Sequence, residues 1–451
     1  MARLRAHPQL GPLLSGGLKG LAVRGTAWTV VGTFGAQGMR LVSNLILTRL
    51  LFPEAFGLMA LVQAVITGLS QFADVGIAPS IIHSKRGDDP QFLDAAWTIQ
   101  VIRGAGLWLA TCALAYPASK LLDQPLLLQF LPVSGLSLLI LGMMPTKLLS
   151  ARRHLALRKL TVVEISSQLV GLICLVALAW WWRSVWALVV GTVVSSLVHI
   201  AVASLWIPGR MNRVSWDKDA RAELINFGRW ILVGTAATYL SGQGIRLVQG
   251  SLVPVATLGI LSIAGNLAWA AGSLAAQVEN RVLFPVYGKL REKSSHEFGK
   301  RVLRARRAVL LAVLPVFCGL MFLGNIIIDF LYDDRYQRAG VFLGIIALNS
   351  AIAVVGMQYG SVLLAKGDAR SHTLVQSVQA VLRVGGSYLG FALAGEIGMV
   401  LAIGIATVLS YPLQARAVSR HACWQPRLDA AAYAGITTCA VLAYLVYRHT
   451  L

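Results

Sequence analysis

The chain has 451 residues, of which 56% are hydrophobic and 13% charged, about half the roughly 25% charged share of an ordinary soluble domain. That composition leaves almost no room for a soluble enzyme. The charge is lopsided, with 40 Lys and Arg against 19 Asp and Glu and a formal +21. Such a surplus suits a nucleic-acid binder if it sits on a soluble domain, and a polytopic membrane protein if it lies in short loops on one side of the bilayer.

Residues 1–23 are basic, carry Pro8 and Pro12, and lack an apolar core followed by a small-residue cleavage site. They are read as a cytoplasmic N-terminal segment and not as a signal peptide. A helix needs about 20 mainly apolar residues to cross the hydrocarbon core. Apolar runs closed by Pro, Gly and charge clusters predict spans over 24–51, 55–82, 93–118, 126–149, 160–182, 184–207, 224–251, 254–286, 303–331, 339–365, 371–394, 396–418 and 428–447. The expected fold is therefore an all-α polytopic membrane protein with about 13 (12 to 14) transmembrane helices. Its connections are too short for a soluble domain on either face.

In domain terms, 24–207 forms an N-terminal lobe of six helices and 224–418 a C-terminal lobe of six, with 428–447 an extra C-terminal helix. Between the lobes, 208–223 reads as a cytoplasmic interfacial linker. Its RMNRVSWDKDARAEL mixes both charge signs and offers Ser215 or Asp217 as an N-cap, so a short interfacial helix is expected there. Trp180, Trp181, Trp182 and Trp186 surround Arg183 in a tight hairpin, as suits the aromatic belt at a membrane surface. Cys112, Cys174, Cys318, Cys423 and Cys439 are scattered through apolar runs and read as packing residues, with no disulfide framework and no metal site expected.

With the N-terminus inside and the spans alternating, twenty-eight cations fall in inside loops and six outside, namely Arg49, Lys120, Arg183, Arg335, Arg338 and Arg448. The bias holds along the whole chain, as the positive-inside rule requires of correct helix phasing. Sorted this way, the surplus charge marks topology and predicts no nucleic-acid partner.

The first and seventh spans repeat one another. Trp28 and Val31 to Thr33 recur as Trp230 and Val233 to Thr235, and Gly57 recurs as Gly259, all displaced by about 202 residues. QGMRLV (Gln37 to Val42) reappears as QGIRLV (Gln243 to Val248), one helical turn further on, which keeps its Arg on nearly the same face. Both segments run inside to outside. A parallel repeat of six and six helices gives two pseudo-symmetric lobes, a transporter architecture with its substrate site between repeats.

Six arginines lie within the spans: Arg40, Arg103, Arg229, Arg246, Arg281 and Arg383. Arg229 and Arg281 are close enough to the inner surface to snorkel. Arg40, Arg103, Arg246 and Arg383 are deeper, where a charge costs at least about 2.5 kcal/mol and is usually turned inward and functional. Buried acids are few and nearer the inside. An anionic ligand is thus the simpler partner, and a guanidinium, charged even when desolvated, offers a fork of donors to phosphate oxygens. Gln37, Gln243, Asn266, Asn349, Gln358, Gln376 and Gln379 could add a polar cavity lining suited to sugar hydroxyls. Asp74 and Glu164 are the candidate ion-coupling acids. The chain has no H-E-x-x-H, G-x-S-x-G or Walker-type loop, so no catalytic residue, metal or cofactor is expected.

LILTRLLFPEAFGLMALVQAVITGLSQFADVGIAPSIIHSKRGDD (Leu45 to Asp89), INFGRWILVGTA (Ile225 to Ala236), LGILSIAGNLA (Leu258 to Ala268) and VLFPVYGKL (Val282 to Leu290) resemble bacterial polysaccharide-transport proteins. These are the Wzx-type flippases of the multidrug/oligosaccharidyl-lipid/polysaccharide exporter superfamily. The resemblance covers roughly residues 20 to 420. It implies two six-helix lobes in a V around a central cationic cavity, working by alternating access in the bacterial plasma membrane. It implies as substrate a polyprenyl-diphosphate-linked oligosaccharide, carried from the cytoplasmic to the outer leaflet for O-antigen, capsule or exopolysaccharide synthesis. Membrane lipids, a polysaccharide polymerase and export proteins would be its partners. A peptidoglycan lipid II flippase and a drug/cation antiporter of the same superfamily are the alternatives. Members commonly have 12 or 14 helices, so a thirteenth is a departure from the pattern.

Overall fold

The computed structural model describes residues 18–72, 77–84, 86–154, 156–217, 243–279, 287 and 295–447. Asp74, Arg229, Arg281 and the Trp230 to Thr235 copy of the repeat lie outside these residues. The described regular structure is helical: α1 Leu18–Leu50, α2 Pro53–Phe72, α3 Ile77–His83, α4 Pro90–Leu121, α5 Leu127–Gly142, α6 Lys147–Arg153, α7 Leu157–Trp182, α8 Val185–Trp206, α9 Val255–Val278, α10 Ser295–Leu331, α11 Arg338–Lys366, α12 Ala369–Ser419 and α13 Pro426–Tyr447, with a 3-10 turn at Asp334–Tyr336. Residues 243–252 are also helical. Among the described residues, nine helices are long and apolar enough to cross a membrane, or ten if α5 and α6, bent by 60° at their junction, count as one span. Every span expected from the sequence contains helix within its described residues.

The breaks follow local chemistry. The left-handed Arg183 (φ 45°) ends α7, and the Ser184 hydroxyl accepts from the Trp186 amide to start α8, a cap at each side of a two-residue reversal. At the α5 terminus, carbonyls lose their helical partners. Gln100 Nε2 donates to the carbonyls of Leu141, Gly142 and Met144, and Trp97 Nε1 to that of Met143. Helix α12 is a hairpin, broken at Ala394 and at Gly395 with φ +59°, which is the boundary the sequence placed between 394 and 396. A Cβ at Gly390 would strike the Gly398 carbonyl, so glycine on both arms lets the two backbones close on each other.

The helices group into two compact units. The first holds the described residues of Met1–Leu47, Ala73–Tyr116 and Leu128–Leu232, and the second those of Thr48–Phe72, Pro117–Leu127 and Val233–Leu451. In the first unit several of the basic loops gather at one end. Arg153 Nη1 donates to the carbonyls of Ile81, Ile82 and Ser84, Arg86 pairs with Asp217 at 2.9 Å, and Arg210 with Asp94 at 2.7 Å. The interfacial helix expected after Ser215 or Asp217 lies outside the described residues, and residues 208–217 have no helix. They form an extended strap whose groups are bonded to neighbouring helices. Asp94 Oδ1 accepts from the Arg213 amide and from Asn212 Nδ2, Asn212 Oδ1 accepts from the Thr146 amide, and Thr98 Oγ1 accepts from the Ser215 amide. Backbone donors satisfied by side chains need no helical ladder.

In the second unit α2 crosses α9 at glycines. A Cβ at Gly57 would collide with the Val255 carbonyl, and one at Gly259 with the Pro53 carbonyl. Pro53 with Val255 and Gly57 with Gly259 are pairs at the repeat offset of 202, so the crossing is reciprocal, as a local two-fold axis demands. Replacing either glycine with leucine should lower the melting temperature of the detergent-solubilised protein by similar amounts, corresponding to at least about 1–3 kcal/mol of overpacking. Unequal losses would argue against the reciprocity.

Arg306 corrects one assignment. Counted with the inside-loop cations, it is fully buried in α10, its side chain 1% exposed and 2.6 Å from Asp429 of α13. It also donates to Tyr359 Oη (2.5 Å), the Val355 carbonyl and Gln425 Oε1, while Tyr359 and Tyr411 donate to Asp429 Oδ2. The thirteenth helix is thereby tied to α10, α11 and α12. Asp429→Ala strands a buried cation, and breaking such a pair costs about 3–5 kcal/mol. A large drop in melting temperature is expected, with Arg306→Met/Asp429→Leu less damaged than Asp429→Ala alone.

Candidate functional site

The deep arginines sort into two cavities, one inside each unit. In the second unit a cavity of about 290 Å³ is lined by Arg246 and Gln249 from the helical residues 243–252, Ser262 from α9, Asn349 and Ser350 from α11, and Arg383 and Thr407 from the two arms of α12. The Gly395 reversal makes this lining possible by returning the chain so that residues 24 apart meet. Arg383 Nη2 donates to Thr407 Oγ1 at 3.2 Å, and one turn further along the arms Gln379 Nε2 donates to Ser410 Oγ at 3.3 Å. Asn349 is buried and donates to the Val400 carbonyl at 2.7 Å, which fixes α11 against the second arm. Both arginines are half-buried. No Asp or Glu is among the described residues of the lining, so the cavity is cationic and rimmed by hydroxyls and amides.

The first unit holds a cavity of about 300 Å³ with a different charge pattern. It is lined by Arg40 and Ser43 of α1, Glu164, Ser167 and Gln168 of α7, and Ser195 and His199 of α8, among others. The α7 residues follow the three- and four-residue spacing of a single helix face, and Ser195 and His199 do the same on α8. Ser167 Oγ lies 2.9 Å from His199 Nδ1, and Gln168 Nε2 donates to the Ala36 carbonyl of α1 at 3.0 Å. A base, an acid and a histidine therefore share this space.

The two cavities are lined by different spans. The first, fifth and sixth spans line one; the seventh, eleventh and twelfth line the other, joined by the eighth and tenth. Of the sequence candidates, the structure brings Arg246, Arg383 and Asn349 together, and Arg40 with Glu164. Arg103 of α4 is half-buried in the first unit but lines neither cavity. Gln37 and Gln243 are half-buried beside lining residues, Gln358 is fully buried within α11, and Asn266 is exposed on α9. His199, which was not among the sequence candidates, is also a wall of the cavity. Its signal was the i, i+4 pairing with Ser195, opposite the Glu164, Ser167, Gln168 stripe.

If the second-unit cavity is cationic and water-accessible, Ser350→Cys in a cysteine-free background should react faster with an anionic than with a cationic methanethiosulfonate. Arg246→Gln should shrink that preference several-fold; a preference for the cationic reagent would contradict the geometry.

The profile of a family described as polysaccharide biosynthesis protein matches residues 46–340. The lipopolysaccharide biosynthesis protein WzxC of Escherichia coli (strain K12) is 23% identical over 412 residues, 87% of this chain and 81% of the relative. The succinoglycan biosynthesis transport protein ExoT of Rhizobium meliloti (strain 1021) is 24% identical over 339 residues, 73% of this chain and 66% of the relative. Among solved structures, the lipid II flippase MurJ in its inward closed conformation superposes with a TM-score of 0.71 at 11% identity, covering 94% of this chain and 93% of that one. An inward-facing multidrug resistance MATE family transporter of the MOP superfamily gives 0.63 at 13% identity, covering 85% and 95%. The fold is shared with both.

Proposed function

The chain belongs to the family of polysaccharide biosynthesis proteins, and from that premise we propose that it is a flippase, carrying a polyprenyl-diphosphate-linked oligosaccharide from the cytoplasmic to the outer leaflet. The observation that carries this reading is the pair Arg246 and Arg383 on one intramembrane cavity with no carboxylate among its described lining. Two guanidinium groups held in a low-dielectric space suit a diphosphate, which offers several oxygens to their paired donors. Ser262, Ser350 and Thr407 hydroxyls and the Gln249 and Asn349 amides can complete the phosphate shell or meet the first sugar. At about 290 Å³ the cavity suits a headgroup, with the oligosaccharide beyond it and the lipid tail left in the bilayer.

In this reading the chain has 13 spans, its N-terminus is cytoplasmic, and two six-helix lobes related by the repeat alternate access to the headgroup. Moving negative charge outward down the membrane potential gains about 2.3 kcal/mol per charge per 100 mV. Glu164, facing the first-unit cavity with His199 and Arg40, is the acid assigned to ion coupling. Arg103 is assigned no contact with the headgroup. A drug/cation antiporter would want carboxylates where Arg246 and Arg383 stand. A lipid II flippase would meet the same diphosphate, and cellular phenotype separates it.

Deleting the gene should abolish or truncate one surface polysaccharide and accumulate its lipid-linked precursor at the cytoplasmic face, with peptidoglycan synthesis intact. Arg246→Gln and Arg383→Gln should each reproduce at least a tenfold loss of export at normal protein levels, roughly the worth of one charge-assisted hydrogen bond. The lysine variants should retain more activity than the glutamines. Normal polysaccharide without precursor accumulation in the deletion strain would overturn the function. Full export by the double glutamine variant would overturn the site.

A further inference from the structure

At the end of the first unit where the basic loops gather, a cleft of about 310 Å³ opens between α6, the start of α7 and the strap that follows α8. Its charged lining is Lys147, Lys159, Arg210, His154 and Asp94. The one carboxylate is already committed. Asp94 Oδ2 lies 2.7 Å from Arg210 Nη2, and Oδ1 accepts from the Arg213 amide at 3.0 Å and Asn212 Nδ2 at 3.3 Å. His154 pairs with Asp88 at 2.9 Å, outside the lining. The cleft thus presents Lys147 and Lys159 as surplus positive charge. Lys147 Nζ gives one donor to the Ser204 carbonyl at 2.7 Å, which steadies the ammonium and leaves it two more. Lys159 is exposed.

The surroundings of the cleft are apolar in a way that a site for a soluble anion would not need. Leu205 is 82% exposed, Val214 81%, and Trp206, Met211 and Trp216 nearly 60% each. They lie on the last turn of α8 and along the strap, where two predicted membrane spans end. Tryptophan and long apolar side chains beside lysines are the signature of the headgroup layer, where a lipid offers phosphate on one side and acyl chain on the other. The strap is rigidly placed for that role because Asn212 and Ser215 bond it to α4 and to Thr146, and Gly209, at φ +147°, turns it beneath Lys147.

We propose that this cleft is a binding site for an acidic phospholipid, its phosphodiester held between Lys147 and Lys159 and its acyl chains lying along Leu205 and Trp206. The site is separate from the Arg246 and Arg383 cavity and would stand if the flippase reading failed. Bound there, the lipid ties α6, α7 and the strap together at the membrane surface and makes the stability of the first unit depend on bilayer composition.

The test uses the purified full chain in detergent, with melting temperature followed as phosphatidylglycerol, phosphatidylcholine or inorganic phosphate is added. Phosphatidylglycerol should raise the melting temperature saturably, and the other two should not. Lys159→Gln should weaken the apparent affinity for phosphatidylglycerol roughly fivefold, and Lys147→Gln/Lys159→Gln more, following about 1 kcal/mol per cation at such a surface. Because Lys159 is exposed, the single variant should melt as the parent does without lipid, which separates loss of binding from loss of fold. Equal stabilisation by phosphatidylcholine, equal stabilisation by inorganic phosphate, or unchanged phosphatidylglycerol affinity in Lys159→Gln would each overturn the proposal.

Discussion

A cation withdrawn from water must be answered by an anion, and in hydrocarbon the answer has to come from the protein or from a ligand. This constraint organises the molecule. Arg306 shows the first solution: Asp429, Tyr359, a glutamine and a backbone carbonyl surround one guanidinium, whose carbon lies 3.8 Å from the Tyr359 ring centre. Such a cage uses the charge to specify which helices meet, and it recruits α13 to the second unit. Arg246 and Arg383 are placed differently, on open space lined by neutral hydroxyls and amides. Arg306 has its anion inside the protein, whereas the described lining around Arg246 and Arg383 offers neutral partners such as Thr407, and the proposed headgroup site rests on that difference.

Close approach of backbones is the second requirement. Helices in a membrane gain no hydrophobic drive from one another, so they associate where small residues let them touch. The reciprocal crossing of α2 and α9, with Gly57 against the Val255 carbonyl and Gly259 against the Pro53 carbonyl, is such a contact between repeat-related positions. The α12 hairpin works similarly through Gly390 and Gly398. Without that close pairing of arms, Arg383 could not reach Thr407, and the cavity wall would lose its geometry.

Much of this was legible in the sequence because hydrocarbon imposes length. Proline, glycine and charge closed the apolar runs at or near the observed helix ends, including the 394/396 boundary inside α12. Within the first unit Arg86, Arg153 and Arg210, three of the cations assigned to inside loops, lie at one end. Three features were hidden for physical reasons. Arg306 looked like a loop cation because α10 begins at Ser295, eight residues before the apolar run suggests. The strap at 208–217 has helix-like composition, but its conformation is set by Asp94 and Thr98, more than a hundred residues earlier. His199 needed the pairing of α8 with α7 before its neighbours could be seen.

The two cavities carry different charge patterns. Arg40 and Arg246, from the matching strings QGMRLV and QGIRLV, each line one of them. Against that common cation, the fifth span supplies Glu164 and the eleventh supplies Arg383. A cation beside an acid can be neutralised within the protein. A cation facing a second cation repels it and lowers its energy only when an anion arrives. The second pattern is the one on which the proposed headgroup site rests. Arginines from two similar strings thus end in different electrostatic settings, because the helices that face them differ in charge.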